Sequence, residues 1–524
     1  MVLFGRWSRR DILKQSGVVS ATGAVVVPMA AEAALPVYAG TESDNLFTRI
    51  GVRPLINGRG TYTIISGSRS LPEVKQAMFE ASHYYVHMDE MMDAIGARLG
   101  ALMGAQWGIV TNGAEAAICL ATIACIAGTN VEKCQALPYI KAKDQVIIPK
   151  YSRNPYDLGV RMAGVEIVEV ETVEELHAKI SSRTAMIYVM SGPPAEKGPL
   201  NIATLCFVAR EKGIPILVDA AAEEPLNPNP HLSRGATLVC YSGGKCLRGP
   251  QSSGILLGDK SLCKAAYYQA APHHAFGRAL KCSKEECMGL LAAVEQWYRR
   301  DHVAEQRMWL GWMHNIETRL KALPSTRFVY LAPEDLSNKA TRLRIHWDAN
   351  VLKITGTELV AKLDAGTPRI LIDAGTGKRP DQMASSVIVM PYMMDPGEDR
   401  IIADAIYAAL TGPSTYQNPV MPSGAPASLA GNWAVAIQYL RGQGEQRFAL
   451  QQSGSEVAGM HQGELYSGTL RGQVHGDQVE LHSVMEVPGN NIGWIFSGTA
   501  SGSQMAGTLT MGEYGSAKWT AVRV

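Results

Sequence analysis

The sequence has almost no charge bias: 49 Lys and Arg against 48 Asp and Glu leave a formal net charge of +1 over 524 residues. It has no basic stripe interleaved with aromatics and no long run of like charge, so nothing in it calls for nucleic acid or an anionic membrane as a partner. Beyond the N-terminus no stretch approaches the ~20 apolar residues needed to span a bilayer. Nine cysteines are present, an odd number with no Cys-x-x-Cys pair and no zinc-like spacing, so neither a disulfide framework nor a metal site is expected. Cys119 and Cys125 fall in an apolar helical run and read as core, whereas Cys282 and Cys287 read as surface thiols. What is present is the composition of a globular protein, 46% hydrophobic and 19% charged, in a chain long enough for two or three domains.

The N-terminus has its own character. Ser8-Arg9-Arg10-Asp11-Ile12-Leu13-Lys14 precedes a mildly apolar stretch from Val18 to Ala30, and Ala31-Glu32-Ala33 then offers a small-residue cleavage site. That order reads as a cleaved export signal, and its paired arginines resemble a twin-arginine signal. The expected location is therefore outside the cytoplasm, periplasmic or secreted. A chance Arg-Arg on an ordinary signal or an anchor is the alternative.

From about Asn45 to Leu410, β-branched runs alternate with helical patterns, which predicts an α/β domain with a mainly parallel sheet. Strands are expected at Trp107–Thr111, Gln145–Pro149, Glu166–Val170, Ala185–Val189, Ile216–Asp219, Leu238–Tyr241 and Gly254–Leu257. Helices are expected at Leu71–Ser82, Asp93–Met103, Ala114–Ala127, Ile202–Lys212 and Lys284–Tyr298, with another long one over Tyr298–Ala322 leading into a smaller domain. A Pro-rich linker runs from Gly412 to Ser428. From Gly431 the pattern turns to about eight short alternating runs, as in a meandering antiparallel barrel or sandwich. Gly431-Asn432-Trp433 opens it and Arg523 lies on its last run, an arrangement similar to calycin-like barrels in which an Arg packs over the Trp face. An unrelated small β-domain is the plainer alternative. The expected division is a signal over 1–33, a large domain with its N-terminal segment over 34–300, a small α/β domain over 301–412, a linker over 413–428 and the β-domain over 429–524.

Three separated pieces carry chemistry. Tyr241-Ser242-Gly243-Gly244-Lys245 ends an apolar strand with a lysine that two glycines leave free to project into a pocket, where a neutral amine can condense with an aldehyde. Ile216-Leu217-Val218-Asp219 puts an acid at the C-terminal end of a buried strand, the crevice where such sheets bind ligands; there it can keep a pyridine nitrogen protonated, or simply cap a helix. Asn112-Gly113-Ala114 opens an apolar helix whose free N–H groups suit a phosphate. Each piece alone is weak, and Gly-Gly-Lys is more often a surface turn. Together, in chain order, strand–Gly–helix, then strand–Asp, then strand–Ser-x-x-Lys, they resemble the layout of fold-type I pyridoxal-phosphate (PLP) enzymes.

The stretch Gly51-Val52-Arg53-Pro54-Leu55-Ile56-Asn57, with Gly60-Thr61-Tyr62-Thr63, Gly67-Ser68-Arg69 and Arg248-Gly249-Pro250-Gln251, resembles the selenocysteine-synthase-like branch of that fold type, nearest to the D-glucosaminate-6-phosphate ammonia-lyase type. Asn154-Pro155-Tyr156-Asp157 and Gly277-Arg278-Ala279-Leu280-Lys281 also match. The resemblance implies a large mainly parallel sheet domain, a small α/β domain, PLP as cofactor and a homodimer or higher homo-oligomer. By resemblance Lys245 is the Schiff-base lysine, Asp219 the partner of the pyridine nitrogen, and Gly113, Ala114 and Ser242 hold the phosphate. Arg369, Arg69 and Arg278 are candidates for substrate anions. Two departures stand out: Glu115 in the phosphate turn, and the lack of a histidine in Tyr151-Ser152-Arg153 for stacking on the ring. His273-His274 read as loop residues near the cofactor mouth.

The expected reaction is removal of the Cα proton by Lys245 from an amino acid or amino-sugar acid, then β-elimination to a 2-keto acid and ammonia. Transamination or racemisation would use the same core residues. Selenium transfer to seryl-tRNA is disfavoured by the export signal and the absence of a basic surface pattern. A secreted binding protein with a degenerate catalytic domain is the non-enzymatic alternative, against which the retained Lys245, Asp219 and Ser242 argue.

Overall fold

The structure, a computed structural model, describes residues 45–524 apart from 335, 421 and 423; the expected export signal lies outside the described residues. The first strand, β1 (Ile56–Gly58), belongs to a sheet completed much later in the chain. Seven strands follow: β2 (Trp107–Thr111), β3 (Gln145–Pro149), β4 (Glu166–Val170), β5 (Thr184–Met190), β6 (Ile216–Asp219), β7 (Leu238–Ser242) and β8 (Gly254–Gly258). They form one sheet in the order β2-β8-β7-β6-β5-β3-β4. β3 to β7 run parallel to one another, and β8 is antiparallel to both neighbours. The cause is local. Between β7 and β8 there is only a closed turn with no crossover helix, and without a crossover the chain returns antiparallel. That turn carries Lys245.

β5, β6 and β8 are continuous buried apolar runs because helices cover both faces of this sheet. The helix Gly113–Ala127 is buried from Ala116 to its end, and this explains why its sequence is apolar all round. Cys287 lies on the inward side of the helix Lys284–Trp297 and is fully buried, which corrects its reading as a surface thiol; Cys282 is half-buried and all nine cysteines are free. The long helix expected from Tyr298 is also corrected. The chain breaks after Trp297 and restarts as His302–Leu320, with the Asp301 side chain accepting from the Ala304 N–H as an N-cap.

The small domain holds β9 (Arg327–Leu331), β10 (Arg342–Asp348), β11 (Ile370–Lys378) and β12 (Gln382–Val389), in a sheet ordered β1-β11-β12-β10-β9. β1 pairs in parallel with β11, so the segment after residue 45 is tied to the small domain before the large sheet begins.

Strands β13 (Gly431–Gln438), β14 (Gln443–Ser453), β15 (Glu456–Gln462), β16 (Ser467–His475), β17 (Gln478–Val487), β18 (Asn490–Ser501), β19 (Gln504–Thr510) and β20 (Ser516–Arg523) close an antiparallel barrel. Alternate residues point inward. Eight strands leave room for little more than side chains, and Trp433, Phe448, Phe496 and Trp519 fill the centre, with Phe496 edge-on to Phe448 and Trp519. Arg523 is paired in register with Trp433, and its guanidinium lies 4.5 Å from the Trp433 ring centroid, as the sequence leads one to expect. Among the described residues no helix is long and apolar enough to cross a membrane.

Candidate active site

Register brings the three sequence pieces to one end of the large sheet, at the C-terminal ends of β2, β6 and β7. Gly254 at the start of β8 is the partner of Thr111 on one side and of Ser242 on the other. A Cβ on Gly254 would lie 2.3 Å from the Gly113 carbonyl carbon and 2.6 Å from the Ala114 nitrogen. Only glycine lets the helix N-terminus come this close. Gly113 itself has φ +80, and a Cβ there would meet nothing within 4 Å, so the space over the helix start is open to a ligand. Glu115 packs against the segment that holds Gly159. Its Cγ lies 3.2 Å from where a Gly159 Cβ would sit, and burial and the Asp219 charge raise its carboxyl above the usual range while Arg161 opposes them.

Asp219 ends β6 almost fully buried. Its Oδ2 accepts from the Tyr188 hydroxyl (2.9 Å), and its Oδ1 accepts from the Ala221 N–H (3.0 Å) and the Cys240 thiol (3.5 Å). Three donors converging on two oxygens suit a carboxylate that must stay fixed in a dry site. Tyr188 is held in turn by Asn154, whose Nδ2 donates to its hydroxyl oxygen (3.3 Å) and to the Ser152 carbonyl (2.7 Å).

Lys245 sits in the β7–β8 turn, which is closed by Gly243 N–H to Ser253 O (2.8 Å) and Gly249 N–H to Gly243 O (2.8 Å). Cβ atoms on Gly243 or Gly244 would meet Ser253 Oγ at 2.1 Å and Gln251 Oε1 at 2.5 Å, so the paired glycines are required by packing. Burial draws the Lys245 amine below the usual lysine range, and the Asp219 carboxylate pulls the other way. Burial prevails, which raises the neutral, nucleophilic fraction.

The pieces fit PLP: an open helix start and Ser242 for a phosphate, a buried carboxylate for a ring nitrogen, and a depressed lysine for an aldehyde. The anion candidates are dispersed. Arg369 is paired with Asp364 at 2.6 Å, Arg69 bonds to Asp395 with Glu398 at 4.0 Å, and Arg278 donates to the Pro272 and His273 carbonyls. His273 lies 3.2 Å from Asp89 and edge-on to Tyr267 and Tyr268, while Tyr151 donates to the Leu200 carbonyl. Sequence reasoning missed Tyr188, Cys240 and Gly254, since two apolar-strand residues and a strand glycine give no linear sign of what they meet.

Comparison with known proteins agrees with this geometry. Residues 35–282 match the family described as Cys/Met metabolism PLP-dependent enzyme. The chain is a PLP-dependent enzyme of fold type I. It is 27% identical to D-glucosaminate-6-phosphate ammonia lyase of Salmonella typhimurium, over 62% of this chain and 87% of that one. It is 29% identical to 5'-C-glycyluridine monooxygenase-decarboxylase of a Streptomyces species, over 62% and 83%. A solved structure of D-glucosaminate-6-phosphate ammonia-lyase superposes with a TM-score of 0.61 at 25% identity, covering 70% of this chain and 98% of that one.

Proposed function

We propose that the enzyme is a PLP-dependent ammonia-lyase acting on an amino acid or amino-sugar acid that carries a hydroxyl at Cβ. The observation that carries the reading is the depressed amine of Lys245 beside Asp219 with its three donors, in a chain similar to D-glucosaminate-6-phosphate ammonia lyase. PLP, when bound, supplies an electron sink for charge developing at the substrate Cα. Lys245 is the residue for its aldehyde, Asp219 for its ring nitrogen, and Gly113, Ala114 and Ser242 for its phosphate.

With PLP and substrate bound, the Lys245 amine would be the group placed to take the Cα proton as general base. The C–H electron pair forms the Cα–Cβ double bond, and the Cβ hydroxyl leaves with the proton returned from Lys245 as water. Hydrolysis of the resulting enamine consumes one water and yields the 2-keto acid and ammonia, so atoms and electrons balance. Asp219, fixed by Tyr188, Ala221 and Cys240, needs no reorganisation during these steps.

The test is spectroscopic. Purified full-length protein should show a visible absorption band with PLP that is absent from Lys245→Ala; a wild type that stays colourless with added PLP contradicts the reading. Homo-oligomerisation and export through the N-terminal signal belong to the same proposal, and are checked by sizing the purified protein and by fractionating cells that express the full chain.

A further inference from the structure

Three residues beyond Lys245, the turn holds a cation with no ion-pair partner among the described residues. Arg248 donates its backbone N–H to the Lys245 carbonyl (3.0 Å) and its Nε to the Arg69 carbonyl (2.9 Å). Among the described residues no carboxylate pairs with its guanidinium. The neighbouring arginines differ: Arg69 has Asp395, and Arg300 holds Glu305 through two bonds of 2.8 and 3.0 Å. Burial, then Arg300 and Arg69, pull Arg248 down to about 10, and burial, Arg69 and Arg248 lower Lys75 as well. Glu305 opposes the pull on Arg248 only from a distance, so its guanidinium is left without a direct counter-charge, which a bound anion would supply.

The backbone agrees. Arg248 has φ 54, the left-handed region that a non-glycine residue occupies only when its surroundings hold it there, as functional sites often do. The N-terminal segment clamps the turn from outside, with Leu71 N–H on the Arg248 carbonyl (3.2 Å) and Ser70 Oγ on the Gly249 carbonyl (3.3 Å). Arg300, Glu305 and Tyr392, all close enough to act on Arg248, line a neighbouring cavity of about 210 Å³ together with Lys339 and Glu224.

We propose that Arg248, with Arg69 and Lys75 beside it, is the receptor for an anionic group of the substrate, a carboxylate or a phosphate monoester, held next to Lys245. The proposal rests on Lys245 being the reacting amine. It concerns a different anion from the cofactor's phosphate, because Gly113 and Ser242 flank Gly254 whereas Arg248 faces the Arg69–Lys75 segment. A planar guanidinium that spends only its Nε on the Arg69 carbonyl keeps its two terminal nitrogens for parallel bonds to either anion.

The test uses the full chain loaded with PLP, so that the cofactor's phosphate site is already filled. Inorganic phosphate, D-gluconate and 6-phospho-D-gluconate lack an amine and bind without reacting, and each is titrated against the thermal midpoint. The wild type should be stabilised by at least one. Arg248→Gly, which suits the left-handed backbone, should weaken that binding at least tenfold with the visible cofactor band retained, and Arg248→Lys should recover part of it. A response to the two phosphates alone assigns a phosphate, and a response to gluconate assigns a carboxylate. Unchanged binding in Arg248→Gly with a normal band, or no stabilisation of the wild type by any of the three, overturns the receptor while leaving the reading of Lys245 standing. A wild type without the band overturns that reading, and the receptor with it.

Discussion

At the scale of single residues, the arrangement around Asp219 turns on a hydroxyl. Tyr188 is fully buried, and burial followed by the Asp219 charge holds its phenol well above the usual tyrosine range, so it stays a donor at any working pH. Tyr188→Phe keeps the ring and removes the bond. A hydrogen bond to a charged group is worth about 1.5–3 kcal/mol, so the variant should release PLP on the order of tenfold more readily on dialysis, with the thermal midpoint of the cofactor-free protein lowered far less. Equal PLP retention in both proteins would show that the bond does not serve the cofactor. Lys245, Asp219 and the Gly113 turn were legible in the sequence because each ends a strand or opens a helix in a fixed order. Tyr188 was not: within the apolar run of β5 an aromatic reads as core, and its acid partner lies 31 residues away. Arg248 was legible as part of a motif, but its unpaired guanidinium emerges only once Asp395 and Glu305 are seen to be taken by Arg69 and Arg300.

Among the elements, those with uniform environments were read well. The strands Gln145–Pro149 and Ile216–Asp219 are buried runs bounded by turns, and the eight barrel strands alternate cleanly because one face meets the barrel core and the other meets solvent. The division into two helices was read, but the second was started at Tyr298 instead of His302 because the helical pattern continues across residues 298–301, although Asp301 carried the capping signal. The barrel also hides a polar chain inside its apolar lining. His461 on β15 bonds Ser483 on β17 (2.9 Å) and Gln446 on β14, and meets Phe448 and Phe496 edge-on. Burial drives this imidazole down to about 4. A depressed folded-state value means that stability is fully present above the unfolded value near 6.5 and is lost as pH falls toward 4. The loss should be on the order of 2–3 kcal/mol, read as a falling denaturation midpoint of the barrel's tryptophan fluorescence between those pH values. His461→Gln should flatten that slope; an unchanged slope would place the titrating group elsewhere.

For the molecule as a whole, the barrel reaches the catalytic domain at a point linked to the site. The β17–β18 tip carries Gly489 at φ +77, and a Cβ there would lie 2.6 Å from the Asn154 carbonyl oxygen and 2.9 Å from Asp157 Oδ2. Asn154 is the residue that holds Tyr188, and the fully buried Asp157 binds Arg153 and Arg161 at 2.6 and 3.0 Å. Gly489→Val therefore combines an unfavourable backbone region with a clash against the loop that supports Tyr188. It should lower PLP retention severalfold while barrel unfolding followed by tryptophan fluorescence shifts by only about 1–2 kcal/mol; unaltered PLP retention would make the contact incidental. No alternation pattern could reveal this contact, since it joins turns more than 300 residues apart. The central claim is that Lys245 drives elimination, and the most direct measurement is ammonia released from 3-hydroxy amino acids and amino-sugar acids by the PLP-loaded full chain, with and without a keto-acid acceptor. The account predicts stoichiometric ammonia and 2-keto acid without any acceptor, abolished in Lys245→Ala. Turnover that appears only when an acceptor is supplied, or that survives the loss of Lys245, would contradict it.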